Sequence, residues 1–288
     1  MNRRLVVFGL GYVGRAVADA ALAAGYEVVG TTSKPVSELA GVALLTTVEI
    51  VPALAGASHL LVTAPPGKAG DPLLGLEGAE TAIAQSPLRW IGYLSTTGVY
   101  GDRGGGWVDE VTAPAPGSER SRHRVLAETA WMGFAGGTAL NVFRLAGIYG
   151  PGRSVLDDLR NGRARRVIQP GHAFGRIHRD DIVRAVLAAM GQDQAPGTRI
   201  LNLSDDEPAE SAVVIEEAAR LLSVPPPPAV AFADAHATMS PMARSFWAEN
   251  RKVGNRATKQ ALGLEWLYPT YREGLRAILR EERVQDLA

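Results

Sequence analysis

The chain has no cysteine among its 288 residues. That excludes disulfides, thiol nucleophiles and thiolate-bound metals, and it fits a reducing, cytoplasmic setting. It also has no surplus charge, with 30 Lys and Arg against 30 Asp and Glu. A zero balance removes the electrostatic case for duplex nucleic acid or an anionic membrane. No apolar run reaches the roughly 18 residues that a membrane span needs. His59, His172 and His236 show no metal-ligand spacing, so no metal site is expected. What remains is 46% hydrophobic and 21% charged, ordinary for a folded globular chain.

Glycine (32) and proline (18) punctuate the chain often. Met1 to Arg4 followed by apolar Leu5–Phe8 imitates a secretion signal. Gly9, Gly11 and Gly14 break that run, and Arg15 and Asp19 follow at once. The segment therefore reads as strand, loop and helix. The helix spans Arg15–Ala24 and stops at Gly25. Glu27–Val29, Val42–Leu45, His59–Val62, Trp90–Leu94, Asn141–Leu145 and Arg199–Leu203 are further strands. Leu73–Gln85, Ser121–Phe134 and Asp180–Met190 read as helices between them. Pro208 suits the first turn of a helix running to Leu222. Pro225–Pro228 is a stiff linker, and Thr270–Glu273 is a capping box opening the last helix.

Strands alternating with helices predict an α/β fold, a doubly wound parallel sheet of the Rossmann kind. Residues 1–148 are expected to form the dinucleotide-binding domain, with 175–205 returning to it. Residues 149–174 and 206–288 are expected to form a smaller substrate-binding region.

Gly9-Leu10-Gly11-Tyr12-Val13-Gly14 is a G-x-G-x-x-G that follows an apolar strand and opens a helix. In that setting it is a dinucleotide signature. Gly9 permits the tight turn, bare Gly11 lets a diphosphate approach the backbone, and Gly14 allows close packing. The free N–H groups of the first helical turn, around Tyr12 and Val13, form an anion site. The second strand ends in Thr31-Thr32-Ser33-Lys34, with no carboxylate to take a ribose 2′-hydroxyl. Thr32, Ser33 and Lys34 instead suit a 2′-phosphate, so NADP is expected ahead of NAD.

With these landmarks in view the chain resembles the extended short-chain dehydrogenase/reductase superfamily, in its NAD(P)-dependent epimerase/dehydratase type. The matching stretches are the glycine loop, Leu94–Asp102, Phe143–Gly152, Arg176–Asp181, Leu201–Asp205 and Leu262–Leu264. Extended members usually carry a glycine at position 8, where this chain has Phe8. The resemblance implies a small-molecule substrate and a cofactor site that includes Ala64, beyond the strand at 59–62. A homodimer through a helix bundle also follows from it alone. It implies that Thr96 hydrogen-bonds the substrate oxygen.

The resemblance also implies a Tyr-x-x-x-Lys pair on the helix after the fifth strand. Here those positions are Arg120 and Arg124. Arg124 can still contact the ribose. Arg120 cannot be a general acid, because guanidinium does not deprotonate near neutral pH. Tyr100, Tyr149, His123 and His178 are chemically suited substitutes, although Tyr100 and Tyr149 also read as packing residues and His178 as a loop anchor. Arg160, Arg163, Arg165 and Arg166 form a basic cluster suited to a substrate diphosphate or to solvent. Two functions stay open. One is an oxidoreductase or epimerase/dehydratase acting at a carbonyl or carbinol carbon, with Thr96, Arg120, Arg124 and Tyr100 as catalytic candidates and a nucleotide sugar as one substrate. The other is a catalytically impaired holder of NADP.

Overall fold

Seven parallel strands form one sheet in the computed structural model, which describes residues 3–33 and 39–285. The strands are β1 (Arg4–Phe8), β2 (Glu27–Thr31), β3 (Val42–Leu45), β4 (His59–Val62), β5 (Trp90–Thr96), β6 (Ala139–Leu145) and β7 (Gly197–Leu203). The main helices are α1 (Tyr12–Ala23), α2 (Ala79–Gln85), α3 (Glu119–Met132), α4 (Arg179–Gly191), α5 (Ser211–Leu222) and α6 (Tyr271–Gln285).

The sheet runs β7-β6-β5-β4-β1-β2-β3. The strand order reverses between β1 and β4, which opens a crevice at their carboxyl ends, where such sheets bind ligands. The glycine loop leaves β1 at that edge and Thr96 ends β5 there.

Each β1 residue points to the face opposite its neighbour. Leu5 and Val7 pack with Val17, Ala21, Ile182 and Val186. Val6 and Phe8 pack with Ile50, Leu54, Ile83 and Trp131. Both faces are covered, so the strands read as apolar runs without alternation. A separate apolar cluster joins Tyr149, Leu156, Val214, Ala218, Leu275 and Ile278.

Two elements differ from the sequence reading. The helix expected over Leu73–Gln85 begins only at Ala79. Asp71 is the reason: its Oδ1 accepts from Leu73 N (2.9 Å) and Leu74 N (3.2 Å), and its Oδ2 accepts from Trp131 Nε1 (3.0 Å). That fixes a turn, and Gly78 at φ +75° delays the helix further. Pro208 does not enter α5. A short strand, Ala209–Glu210, intervenes and pairs antiparallel with Ala173–Phe174.

Polar ties inside the sheet hold the site edge in place. Arg144 Nη2 donates to Glu128 Oε2 at 2.8 Å and its Nε donates to Oε1 at 3.2 Å, with both residues buried. Ser95 donates to the same Oε1 at 2.5 Å. The arrangement pins α3 beneath the ends of β5 and β6. Asp181 accepts from Leu267 N and Tyr268 N, tying α4 to the segment before α6. No helix among the described residues is long and apolar enough to cross a membrane.

Candidate active site

A cavity of about 550 Å3 lies at the carboxyl edge of the sheet. One end is the glycine loop. Gly9 sits at φ +109°, and its carbonyl accepts from Gly11 N (2.8 Å) and from Thr63 Oγ1. A side chain on Gly14 would place its Cβ 2.2 Å from that same carbonyl oxygen. Gly14 is therefore small because the loop folds back over it. Around Gly11 nothing stands within 4 Å of where a Cβ would be, and the residue borders the cavity. Gly11 is also the N-cap of α1, and no side chain caps it. The first N–H groups of a 12-residue helix thus have no helical acceptor and no cap at this edge.

Tyr12 closes the side of the loop. Its hydroxyl donates to Pro151 O at 3.0 Å, and the guanidiniums of Arg153 and Arg179 lie 5.5 and 5.4 Å from its ring centre. Burial raises its pKa.

The other end is built from β5, α3 and a distant segment. Thr96 Oγ1 accepts from Gly98 N at 3.1 Å, which leaves its proton free to donate into the cavity. Ser118 caps α3, accepting from Ser121 N (3.2 Å) and donating to Ser121 Oγ (2.9 Å). Arg124 is buried, and its Nη1 donates to Leu94 O (2.6 Å) and Tyr93 Oη (3.3 Å). Arg120, one turn earlier, is exposed at the cavity edge and makes no hydrogen bond to a described residue. Ser245, Phe246, Glu249 and Arg251 complete this end. Arg251 Nη1 donates to Gly101 O (3.0 Å) and Glu249 Oε2 (2.7 Å). Asn250 stitches that segment to Asp102 and Gly171.

The cavity thus brings together Gly11, Tyr12, Val13, Gly14, Thr96, Arg120 and Arg124 from the sequence reading, with Gly9 directly behind. Others fall elsewhere. Tyr100 is fully buried, donates to Asn202 Oδ1 at 2.7 Å and lies under Arg144, so it is a core residue that never reaches the cavity. Ala64 braces Gly9 from outside the cavity wall, donating from its N to Phe8 O at 3.2 Å, and Thr63 lines the cavity in its place. Thr32 and Ser33 follow β2, whose Thr31 O accepts from Leu10 N, but neither borders the cavity. Lys34 lies outside the described residues.

Tyr149 borders the cavity but turns its hydroxyl away, against Gly274, and burial drives its pKa upward. His178 is fully buried, and its Nδ1 accepts from Asp180 N at 3.2 Å, capping α4. The arginine cluster disperses: Arg160 pairs with Glu282, Arg163 with Asp158 and Arg166 with Glu216, while Arg165 leans on Thr238. None of the four borders this cavity. The sequence reading missed Arg153, Arg176 and the Ser245–Arg251 segment. Arg176 stood in a motif already singled out, but Ser245–Arg251 carried no local signal.

Comparison with known proteins fits this geometry. No protein-family model matches the chain. Protein YeeZ of Escherichia coli is 30% identical over 248 residues, covering 78% of this chain and 86% of YeeZ. A conserved protein of unknown function from Silicibacter pomeroyi has a solved structure 41% identical, with a TM-score of 0.87 over 97% of this chain and 99% of that one. The human epimerase family protein SDR39U1, solved with NADPH, shares the fold at 19% identity, with a TM-score of 0.77 over 95% of this chain and 98% of that one. The chain belongs to the extended short-chain dehydrogenase/reductase superfamily. Its fold is that of a solved protein described as an NAD-dependent epimerase/dehydratase. A further relative, the 3-diazoavenalumate denitrifying reductase of a Streptomyces species, is 31% identical over 173 residues, which cover 57% of this chain and 55% of its own.

Proposed function

We propose that this protein is an NADP-preferring reductase that acts on a carbonyl or carbinol carbon of a small molecule. The observation that carries the reading is one cavity bordered by the bare N-terminus of α1 and by the free hydroxyl of Thr96. The residues suit a nicotinamide dinucleotide: Gly11 and the first α1 amides for the diphosphate, Arg124 toward the ribose, and Thr32 and Ser33 beside the glycine loop for a 2′-phosphate. When bound, that cofactor supplies or takes up a hydride. The relative named as a reductase favours reduction over epimerisation.

The chain's own residues do the rest. Thr96 donates to the substrate oxygen and orients it. Arg124, fixed by Leu94 O, holds positive charge beneath the site without moving. Arg120 has no ion-pair partner among the described residues, so it meets negative charge on the substrate or on the oxygen as it develops. Arg160, Arg163, Arg165 and Arg166 all stand outside this cavity, so they do not hold a substrate diphosphate in it.

A second reading, a holder of NADP without turnover, draws on the cavity wall itself. Among its described residues there is no imidazole, the Tyr149 hydroxyl lies against Gly274, and the Tyr12 hydroxyl already donates to Pro151 O. Incubation with NADPH and a panel of aldehydes, ketones, quinones and diazo compounds separates the two. Oxidation of NADPH with any of them supports the reductase. Tight NADPH binding with no turnover across the panel supports the holder.

A further inference from the structure

The carboxyl of Asp205 has no part in the site described so far. Asp205 follows β7 and is fully buried, and neither side-chain oxygen accepts a hydrogen bond from a described residue. Its backbone N donates to Arg176 O at 2.5 Å. Other buried polar atoms without a partner among the described residues are Ser204 Oγ of the adjoining residue, the Tyr149 hydroxyl, whose ionisation the Asp205 charge opposes, the Tyr271 hydroxyl and His178 Nε2. The rings of Tyr149 and His178 meet edge to face at 5.1 Å, and the Arg176 guanidinium lies 5.9 Å from the centre of the Tyr271 ring. Buried polar groups are nearly always satisfied. A knot of unsatisfied ones is polar enough to hold ordered water.

Only a thin wall separates this knot from the cavity. Gly175 lines the cavity, and a Cβ on it would lie 2.9 Å from Ser204 Oγ. The Ser204 hydroxyl therefore stands directly behind a residue with no side chain. Arg176 lines the cavity beside it.

The charges around Asp205 come from Arg176, which favours its ionised form, and from Asp206 and Glu207, which oppose it. Burial outweighs them all and pushes its pKa up to about 8. The carboxyl thus keeps a proton at neutral pH, and Arg176 is placed to stabilise the carboxylate once the proton leaves. The cavity wall itself offers hydroxyls, guanidiniums and the carboxyl of Glu249, which accepts from Arg251 Nη1 at 2.7 Å.

We propose that Asp205 supplies the proton of the reaction, passing it through the Ser204 hydroxyl and internal water, past Gly175, to the substrate oxygen. This rests on the reductase reading. The carbonyl carbon is reduced by the hydride of the reduced dinucleotide, which is oxidised by two electrons. The carbonyl π pair moves to oxygen, and that oxygen forms an O–H bond with the relayed proton as the Asp205 O–H breaks. Solvent later reprotonates the carboxylate. Asp205 acts through Ser204 and does not touch the substrate.

Infrared spectra of the full chain test the store and its route without any turnover. The wild type is expected to show a protonated-carboxyl band at neutral pH that vanishes with a midpoint of about 8 and is missing from Asp205→Asn. Transfer into deuterated water is expected to exchange that proton fast in the wild type and at least about tenfold more slowly in Ser204→Ala. A wild type without the band, or exchange equally fast in Ser204→Ala and in Gly175→Val, overturns the proposal. With 9,10-phenanthrenequinone as the turnover probe, Asp205→Asn is expected to be about tenfold slower and to lose the pH dependence near 8. An Asn variant with the wild-type rate and profile also overturns it. If the chain fails to bind NADPH while band and exchange behave as stated, the reductase reading falls and the proton store stands.

Discussion

The two ends of the cavity are built on different principles. The glycine-loop end is backbone: a tight turn at Gly9, an open approach at Gly11, a close crossing at Gly14, and the amide ends of α1. The Thr96 end is side chain: hydroxyls, two arginines, and residues 245–251 brought in from more than a hundred positions away. A backbone site tolerates no added atom but asks little of neighbouring side chains. A side-chain site can be rewritten residue by residue.

Substitutions should separate the two ends. The largest effect is expected for Gly14→Val, whose Cβ would fall 2.2 Å from Gly9 O, a backbone atom that cannot swing aside. NADPH binding, followed by fluorescence titration, should be lost by about 100-fold or more, with a stability loss of about 1–3 kcal/mol. An unchanged affinity would show that the loop does not hold the cofactor. Thr96→Val should do the reverse. Turnover of a substrate found by the NADPH screen should fall about 100-fold, as for loss of one oxyanion donor, with NADPH affinity kept.

Arg124→Ala removes the donor to Leu94 O and leaves that carbonyl without it. A cost of about 1–3 kcal/mol is expected in chemical denaturation, with Arg120→Ala near neutral by the same measure. Equal losses for both would mean that Arg120 is structural as well.

Much of the frame was legible in the sequence, for a physical reason. Strands buried on both faces read as short apolar runs, and Val42–Leu45 and His59–Val62 stand where the pattern put them. The glycine loop was legible because its chemistry is local. The Thr96 end was legible only in part: Thr96, Arg120 and Arg124 border the cavity, but its other residues were not marked. Tyr100 sits four residues from Thr96, yet the turn after β5 carries it under Arg144 and into the core. Nothing local marks Ser245–Arg251 as cavity residues, because Asn250 places them through contacts with Asp102 and Gly171. Pro208 misled because a two-residue strand is decided by its partner, Ala173–Phe174, and not by its own propensity.

The smallest effect is a pH dependence with two signs. His59 is packed against Tyr26 and Trp90, and burial pulls its pKa down to about 4. The unfolded chain protonates that ring near its ordinary value of about 6.5. Its contribution to stability is therefore full above that value and is lost as pH falls toward 4. Asp205 runs the other way. The folded chain keeps its proton up to about 8, whereas the unfolded chain releases it near the ordinary carboxyl value. Its contribution is full in acid and is lost as pH rises through that span. Asp205→Asn should therefore gain about 1–2 kcal/mol relative to wild type on going from mildly acid to alkaline solution, read from urea midpoints. A constant difference between the two proteins would contradict the buried acid.

Titration calorimetry of the purified chain with NADPH and NADH tests the central claim most directly. Saturable heat with NADPH, weaker with NADH and abolished in Gly14→Val, is the predicted result. No heat with either dinucleotide, from a folded protein, would contradict the account at its base.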